Sequence, residues 1–136
     1  MGDLGGRRIV LAGGSGGLGA ATAKMLAAEG ARLVIGFSRD AARAEQVRQN
    51  CGGDAVLCQA DIRTAQGREA LLDSAPDLYG LVVLVGDPAR AADEDTLRRS
   101  LDVNYLAPSL LARQAAERMR AAGTPGAIVL LASMQA

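Results

Sequence analysis

Three glycines, Gly13, Gly17 and Gly19, lie where a short apolar run meets small residues with helical spacing. At such a strand-to-helix junction one glycine permits a tight turn, one lets backbone N–H groups reach a pyrophosphate, and one lets helix and strand pack closely. The unsatisfied N–H groups and the dipole at the start of the helix favour an anion. The sequence therefore predicts the phosphate-binding turn of a dinucleotide site, with a flexible Gly/Ser loop as the alternative. Its expected residues are Gly13, Ser15, Gly16, Gly17, Leu18 and Gly19.

The composition of the 136 residues argues against several other kinds of site. There is no histidine, which removes Ser-His-Asp and Cys-His mechanisms, and Cys51 and Cys58 are too few for a metal site or a disulfide scaffold. Fifteen basic residues balance 15 acidic ones without a long basic run, and aromatic residues are scarce, so nucleic acid is not expected as a partner. No Gly-Lys-Ser/Thr follows the glycines, which argues against an ATP-binding phosphate loop.

The sequence contains no recognisable targeting segment. The basic residues near the N-terminus are not followed by an apolar stretch of signal-peptide length, and no run approaches a membrane span. We therefore expect a cytoplasmic protein with no membrane partner. Almost half of the residues are apolar, enough for one core, so residues 1–136 are predicted to form a single domain.

Apolar runs and helical periods alternate along the chain. The runs predict strands at 7–12, 32–37, 55–59, 81–85 and 127–132, and the periods predict helices at 17–28, 40–50, 64–73 and 93–122, the last kinked at Pro108. Strands that alternate with helices indicate an α/β fold with a doubly wound parallel sheet. The expected strand order is 3-2-1-4-5, with helices on both faces in a three-layer α/β/α arrangement of the Rossmann type.

With this glycine spacing at its first turn, the chain resembles the short-chain dehydrogenase/reductase family, over all 136 residues but only about the first half of a family member. The resemblance implies an NAD(P)-dependent oxidoreductase that transfers hydride between the nicotinamide and a secondary alcohol or ketone. The expected partners are a nicotinamide dinucleotide and a small alcohol or ketone substrate. The chain is expected to be the cofactor-binding portion of such an enzyme.

The adenine end of the cofactor is matched by Asp61 and Ile62, which follow the third predicted strand. In the family an acidic residue at this place accepts a hydrogen bond from the adenine amino group, and the resemblance implies the same role for Asp61. An aspartate that caps the following helix is the alternative.

The choice between the two nicotinamide cofactors depends on Ser38 and Arg39 at the end of the second predicted strand. Sites that prefer NAD usually place a carboxylate there for the ribose hydroxyls, whereas a guanidinium pairs with the 2′-phosphate of NADP. We therefore predict NADP, with NAD as the alternative. Two features oppose this prediction: Asp40 is adjacent, and Gly16 stands where many NADP-preferring members carry a second basic residue.

Two positions resemble the catalytic residues of the family. Asn104, in Asp102-Val103-Asn104, matches an active-site asparagine that holds a proton-relay water; an exposed helical asparagine is the alternative. Ser133, just past the fifth predicted strand, matches the serine that hydrogen-bonds the substrate oxygen; an ordinary serine at a strand end is the alternative.

The sequence departs from the family in two places. After the fourth strand the family usually has Asn-Ala-Gly, of which only Gly86 is kept, as an expected cofactor contact. The family's proton donor, a Tyr about a dozen residues after the serine with a Lys four residues later, would lie beyond Ala136, and neither Tyr79 nor Tyr105 has a Lys at that spacing. Three interpretations stay open: the N-terminal piece of a longer reductase, a subunit completed by another chain, or a non-catalytic dinucleotide-binding module.

The last predicted helix carries Leu97, Leu101, Leu111 and Ala115 near one stripe. In the family this helix pairs across a two-fold dimer axis, which implies a homo-oligomer; packing of the stripe on the sheet is the alternative. The apolar run at 128–131 would form a sheet edge with unpaired backbone, which soluble proteins usually avoid, so the chain is expected to be truncated at its C-terminal end.

Overall fold

The computed structural model describes residues 2–52 and 54–132. Its strands form one parallel sheet in the order β3-β2-β1-β4-β5, which confirms the predicted order and fold class. The strands are β1 (Arg8–Ala12), β2 (Arg32–Phe37), β3 (Val56–Gln59), β4 (Leu78–Val83) and β5 (Ala127–Leu130).

The helices follow the strands in alternation. They are α1 (Gly17–Ala28), α2 (Ala41–Asn50), α3 (Ala65–Asp73), α4 (Glu94–Leu101) and α5 (Ala107–Ala121). Three of them begin one residue later than predicted, because Asp40, Thr64 and Asp93 are N-caps whose side chains accept from the backbone N–H three residues on. Within the described ranges, no helix combines the length and the apolar character that crossing a bilayer requires.

The single long helix predicted at 93–122 is divided in the structure. A π-helical segment, Asp102–Leu106, separates α4 from α5, and Pro108 follows it as the second residue of α5. A proline in a helix cannot donate to the carbonyl four residues earlier, and such segments absorb the missing bond without ending the helix. The irregularity expected at Pro108 therefore lies in the turn before it.

Strand β4 lies closer to the N-terminus than the apolar run at 81–85 predicted. Its pairing with β1 starts at Leu78, and Gly80 lies opposite Ile9 on one side and Ala127 on the other. A Cβ atom at Gly80 would lie 3.2 Å from the Ile9 side chain, a tight contact that would require Ile9 to shift slightly. The prediction of the strand bounds was wrong because apolar residues continue past the end of the ladder into the loop. Likewise β5 ends at Leu130 rather than at 132.

The core lies on both faces of the sheet. Along β1, Ile9 and Leu11 pack on one face with Ala23 of α1 and Val47 of α2. Val10 and Ala12 point to the other face, where α3 and α5 cover them. Residues that alternate between two buried faces are typical of a central parallel strand. The side chains that α3 and α5 contribute to that second face are Leu71, Leu72, Ala107, Leu111, Ala115 and Met119.

Candidate functional site

A cleft of 660 Å³ lies at the carboxyl ends of β1, β2, β3 and β4. Between β1 and β4 the chain order in the sheet reverses, and open α/β sheets bind ligands in the crevice at such a point. The structure brings together in its lining seven residues that the sequence singled out: Gly13, Ser15, Ser38, Arg39, Asp61, Ile62 and Gly86.

The fold itself requires two of the glycines in the turn between β1 and α1. Gly13 has a φ of +81°, and a Cβ atom there would lie 2.9 Å from the backbone nitrogen of Val85. A Cβ at Gly19 would lie 2.6 Å from the Gly13 carbonyl oxygen, so this glycine lets α1 pack against the turn. Gly14, which the sequence analysis did not select, is buried, and a Cβ there would lie 2.9 Å from the Ile35 side chain.

Gly17, in contrast, is not required by the packing of the described residues. A Cβ there would meet no atom within 4 Å, its φ is not left-handed, and the residue is exposed at the first position of α1. The absence of a side chain keeps open the space in front of the helix. Leu18, the next residue, is 56% exposed beside it.

The N-terminus of α1 differs from those of α2, α3 and α4 because no described side chain caps it. Its first intrahelical bond is donated by Ala20 to the Gly16 carbonyl at 2.8 Å. The N–H groups of Gly17, Leu18 and Gly19 therefore have no partner within the helix. Together with the open space at Gly17, they fit the pyrophosphate of a dinucleotide.

At the end of β2, Arg39 and Asp40 are both exposed and both line the cleft, but their side chains differ in what they bind. The Asp40 carboxylate accepts from the Arg43 backbone N–H at 3.0 Å and caps α2. The Ser38 carbonyl accepts from the Gln59 side chain at 3.1 Å, which joins the loop after β2 to the end of β3. The acidic neighbour of Arg39 is therefore engaged in starting a helix.

Asp61 is held by a residue that the sequence analysis did not select, Arg63. The guanidinium donates Nε to Oδ1 at 3.0 Å and Nη2 to Oδ2 at 2.8 Å, and the Arg63 backbone N–H also donates to Oδ1 at 3.0 Å. These bonds, with the nearby charge of Arg39, hold the pKa of Asp61 below its ordinary value against the opposing effect of burial. The Asp-x-Arg spacing of Asp61 and Arg63 is the sequence feature from which this ion pair could have been predicted. Thr64, not Asp61, caps α3.

Ile62 lies between these two charged residues and has a different environment. Its side chain belongs to the core and is only 9% exposed. Its carbonyl accepts from the buried Arg68 at 2.8 Å, and Arg68 also donates to Gln114 of α5. Ile62 therefore fixes the loop after β3 on the core below the cleft.

Asn104 lies on the π-helical segment and binds the backbone of Asp87 in the loop after β4. Its Oδ1 accepts from the Asp87 N–H at 2.8 Å, and its Nδ2 donates to the Asp87 carbonyl at 2.7 Å and to Ser100 Oγ at 2.9 Å. Both Nδ2 hydrogens are therefore used. The amide is exposed to solvent, yet it is engaged by the wall of the cleft.

The Asp87 carboxylate lies on this wall of the cleft. After Arg63, it is the second charged group that was not predicted from the sequence. It accepts from Arg99 Nε at 2.7 Å and from the Ala89 N–H at 2.9 Å, in a loop where Ala89 has a φ of +49°. The Arg99 bond is the main reason why the pKa of Asp87 is lowered. Asp87 directly follows Gly86, so these bonds anchor the loop where the family's Asn-Ala-Gly is not conserved in this chain.

Ser133, the remaining predicted site residue, lies outside the described residues. Within residues 2–52 and 54–132, no three His, Cys, Asp or Glu side chains stand where they could hold a metal ion. Tyr79 lies on β4 under the Arg7 guanidinium, 4.5 Å from it, and Tyr105 is 69% exposed.

Comparison with known proteins agrees with this geometry. D-erythrulose reductase of Gallus gallus is 35% identical over 132 residues, which cover 94% of this chain and 53% of that protein. 3beta-Hydroxysteroid dehydrogenase 1 of Eggerthella lenta is 32% identical over 143 residues, covering 97% and 55%. The chain thus spans about half the length of these relatives.

Solved structures show the same fold. A short chain dehydrogenase/reductase family protein superposes with a TM-score of 0.83 at 34% identity, covering 93% of this chain and 55% of that one. A short-chain dehydrogenase/reductase from Serratia marcescens superposes with a TM-score of 0.75 at 30% identity, covering 85% and 51%. The family model described as short chain dehydrogenase matches residues 7–136. The chain belongs to the short-chain dehydrogenase/reductase family.

Proposed function

We propose that the cleft binds a nicotinamide dinucleotide and that the chain is the cofactor-binding portion of an oxidoreductase acting on a secondary alcohol or ketone. The observation that carries this proposal is the N-terminus of α1. No side chain among the described residues caps it, and it faces open space at Gly17, a glycine that the packing does not need. An anion is the ligand that such a helix end favours. The cleft beside it is large enough for the rest of a dinucleotide.

Each part of the cofactor has candidate residues, either in the cleft lining or at the N-terminus of α1. The backbone N–H groups of Gly17, Leu18 and Gly19 suit the pyrophosphate, and Asp61 suits the adenine amino group as an acceptor-only carboxylate. Gly86, in the cleft lining after β4, suits the nicotinamide end. These assignments follow the family resemblance residue by residue.

Among the two nicotinamide cofactors we propose NADP. Arg39 lies on the cleft at the end of β2, where its guanidinium can pair with a 2′-phosphate. Asp40, the neighbour that would oppose a phosphate, is bonded to the start of α2. Gly16 still leaves this site without a second basic residue in the glycine turn, so the preference depends on Arg39.

The chemistry of the proposed reaction is a hydride transfer, for which a bound nicotinamide supplies the hydride or accepts it. The roles that this chain's own residues would take are to orient and to position. Ser133 would donate a hydrogen bond to the substrate oxygen, and Asn104 would support a proton relay. Because the Asn104 side chain is engaged with Asp87, its support is the placement of the π-helical segment at the cleft.

Titration of the purified protein with NADPH and with NADH tests the proposal. The chain contains no tryptophan, so the emission of the reduced nicotinamide can be followed directly. We expect saturable enhancement with both and tighter binding of NADPH. A sample that is folded by circular dichroism and shows no saturable change with either compound would overturn the proposal.

We also propose a homo-oligomer that forms through the exposed face of α4. Leu97, Leu101 and Tyr105 are 47%, 66% and 69% exposed, whereas Leu111 and Ala115 of the same predicted stripe are buried on the sheet. An exposed apolar stripe of this kind is typical of an interface between subunits. Sedimentation of the wild type and of Leu101→Lys tests this: we expect a lower mass for the variant, and equal masses would contradict the interface.

A further inference from the structure

The Asp61 carboxylate offers a restricted set of hydrogen-bond positions to the cleft. Oδ1 accepts from both Nε and the backbone N–H of Arg63, which fills its two lone pairs, and Oδ2 accepts from Nη2. Within the described part of the chain, one acceptor position therefore remains, on Oδ2. The Asp61 side chain is 37% exposed, and it lies in the cleft lining.

The backbone that carries this carboxylate is fixed as well. Thr64 donates its N–H at 3.1 Å and its hydroxyl at 2.9 Å to the Asp61 carbonyl. Gly67 packs against the same carbonyl so closely that a Cβ atom would collide with it. Neither the main chain nor the carboxylate of Asp61 can turn without breaking one of these contacts.

Arg63 lies in the cleft lining, bonded to Asp61 and within the electrostatic influence of two other carboxylates. Its guanidinium forms the fork with Asp61 and also experiences the charges of Asp102, beside Asn104, and of Asp87, after β4. Arg39 faces Asp61 from the end of β2. Arg63 thus lies among acidic groups of three elements, which favour its place beside Asp61 over a place in solvent.

We propose that Arg63 is a positioning residue that makes Asp61 selective for a 6-aminopurine. Because the Asp61 carboxylate cannot rotate and has one free acceptor position, it can accept a hydrogen bond from a ligand amino group at one place only. At that place its negative charge repels the oxygen of a 6-oxo group. The inference rests on the proposed function, because it assumes that the adenine of a dinucleotide reaches Asp61. It goes further in assigning the selectivity of the carboxylate to its neighbour.

The same geometry keeps the selectivity in acid. A protonated carboxyl could donate to a 6-oxo purine, and its discrimination would be lost. The fork from Arg63, assisted by Arg39, favours the ionised form, so the folded-state pKa lies below the ordinary value and Asp61 stays an acceptor as the pH falls. Without the fork, we expect protonation at a higher pH.

The test compares the wild type with Arg63→Gln, Asp61→Asn and a matched control, Arg113→Gln. Arg113 lies on α5, is 80% exposed and pairs only loosely with Glu117, at 3.7 Å. The ligands are the oxidised form of NADP and its analogue with hypoxanthine in place of adenine, both of which are stable in acid. Their binding is measured at pH 7.5 and at pH 4.5. Carbon-13 NMR follows the titration of the Asp61 carboxyl, which Asp61→Asn identifies. If Arg63→Gln is not folded, Arg63→Lys, which cannot form the fork, replaces it.

We expect the wild type and Arg113→Gln to prefer adenine over hypoxanthine by about 10-fold or more at both pH values, as one bond to a charged acceptor predicts. Arg63→Gln should lose at least about threefold of this preference. Its Asp61 carboxyl should titrate at a higher pH than in the wild type. Asp61→Asn should show no preference.

Two results would overturn the inference alone. The first is an Arg63→Gln protein with the wild-type titration and the wild-type preference. The second is equal weakening of both dinucleotides, which would indicate a direct or merely structural role. If the folded wild type bound neither dinucleotide, the proposed function and this inference would fail together.

Discussion

Asn104 of the π-helical segment binds both the N–H and the carbonyl of Asp87, at 2.8 and 2.7 Å, and so joins the last helical region to the loop after β4. This chain lacks the asparagine of the family's Asn-Ala-Gly in this loop. Asn104, Ser100 and Arg99, all in the helical region that follows, bind this loop through Asp87. The position of Gly86, one residue before, depends on it.

We predict that Asn104→Leu, which keeps the size of the side chain but removes its hydrogen bonds, lowers the free energy of unfolding by about 1–2 kcal/mol. The Asp87 amide should exchange with solvent faster than in the wild type. Urea denaturation and hydrogen exchange measure the two effects. Asn50→Leu, at the exposed end of α2, is the control and should leave the Asp87 amide unchanged.

The glycines of the turn should separate folding from binding. Gly17→Ala should change the free energy of unfolding by less than about 1 kcal/mol, because its Cβ meets no protein atom, but should weaken dinucleotide binding by about 10-fold or more. Gly19→Ala, whose Cβ would meet the Gly13 carbonyl, should destabilise the fold by about 1–3 kcal/mol. Thermal unfolding and cofactor titration of both variants measure this; equal loss of stability in the two would show that Gly17 also serves packing.

The cofactor preference should depend on Arg39. Arg39→Asp places a carboxylate near the expected 2′-phosphate, so we predict that the ratio of NADPH to NADH affinity falls by about 10-fold or more. Arg43→Asp, in the first turn of α2, is a control for the change in net charge. An unchanged ratio in Arg39→Asp would remove this residue from the site.

Acid should loosen the loop after β4. The Arg99 and Ala89 bonds place the folded-state pKa of Asp87 below its value in the unfolded chain, about 3.9. Its contribution to stability is therefore present above that value and is lost as the pH falls through the folded-state pKa. Asp87→Asn should be less stable than the wild type at pH 7, and its stability should fall less between pH 5 and pH 3. Parallel urea titrations of both proteins at several pH values test this; an identical decline would exclude Asp87 as a contributor.

Much of the fold could be predicted from local signals. The bounds of α1 and β2 match the prediction because glycines and the N-terminal arginine of the strand mark their ends, and alternation of strands and helices implied the sheet order. The bounds of β4 could not be predicted in this way, because hydrophobicity indicates burial rather than strand pairing. Leu84 and Val85 pack against the core although they lie outside the ladder of paired strands.

For the candidate site, the sequence predicted individual residues but not the contacts between them. The cleft lining includes Arg39 and Asp61, which their types and positions suggested. The partners that hold such residues could not be predicted. Asn104 and Asp87, for example, lie 17 residues apart in the sequence and meet only once the chain has folded. Likewise Pro108 predicted an irregular helix, but a helical period does not show that the irregularity takes the form of a π-helical segment before the proline.

The central claim is that a nicotinamide dinucleotide binds at the N-terminus of α1. Backbone amide NMR of the folded protein during a titration with NADPH tests it most directly. We predict saturable shifts at the amides of Gly17, Leu18 and Gly19, together with Asp61, and no saturable shift at Arg113 on α5. Saturation that leaves the three α1 amides unchanged, or no saturation at all, would contradict the account.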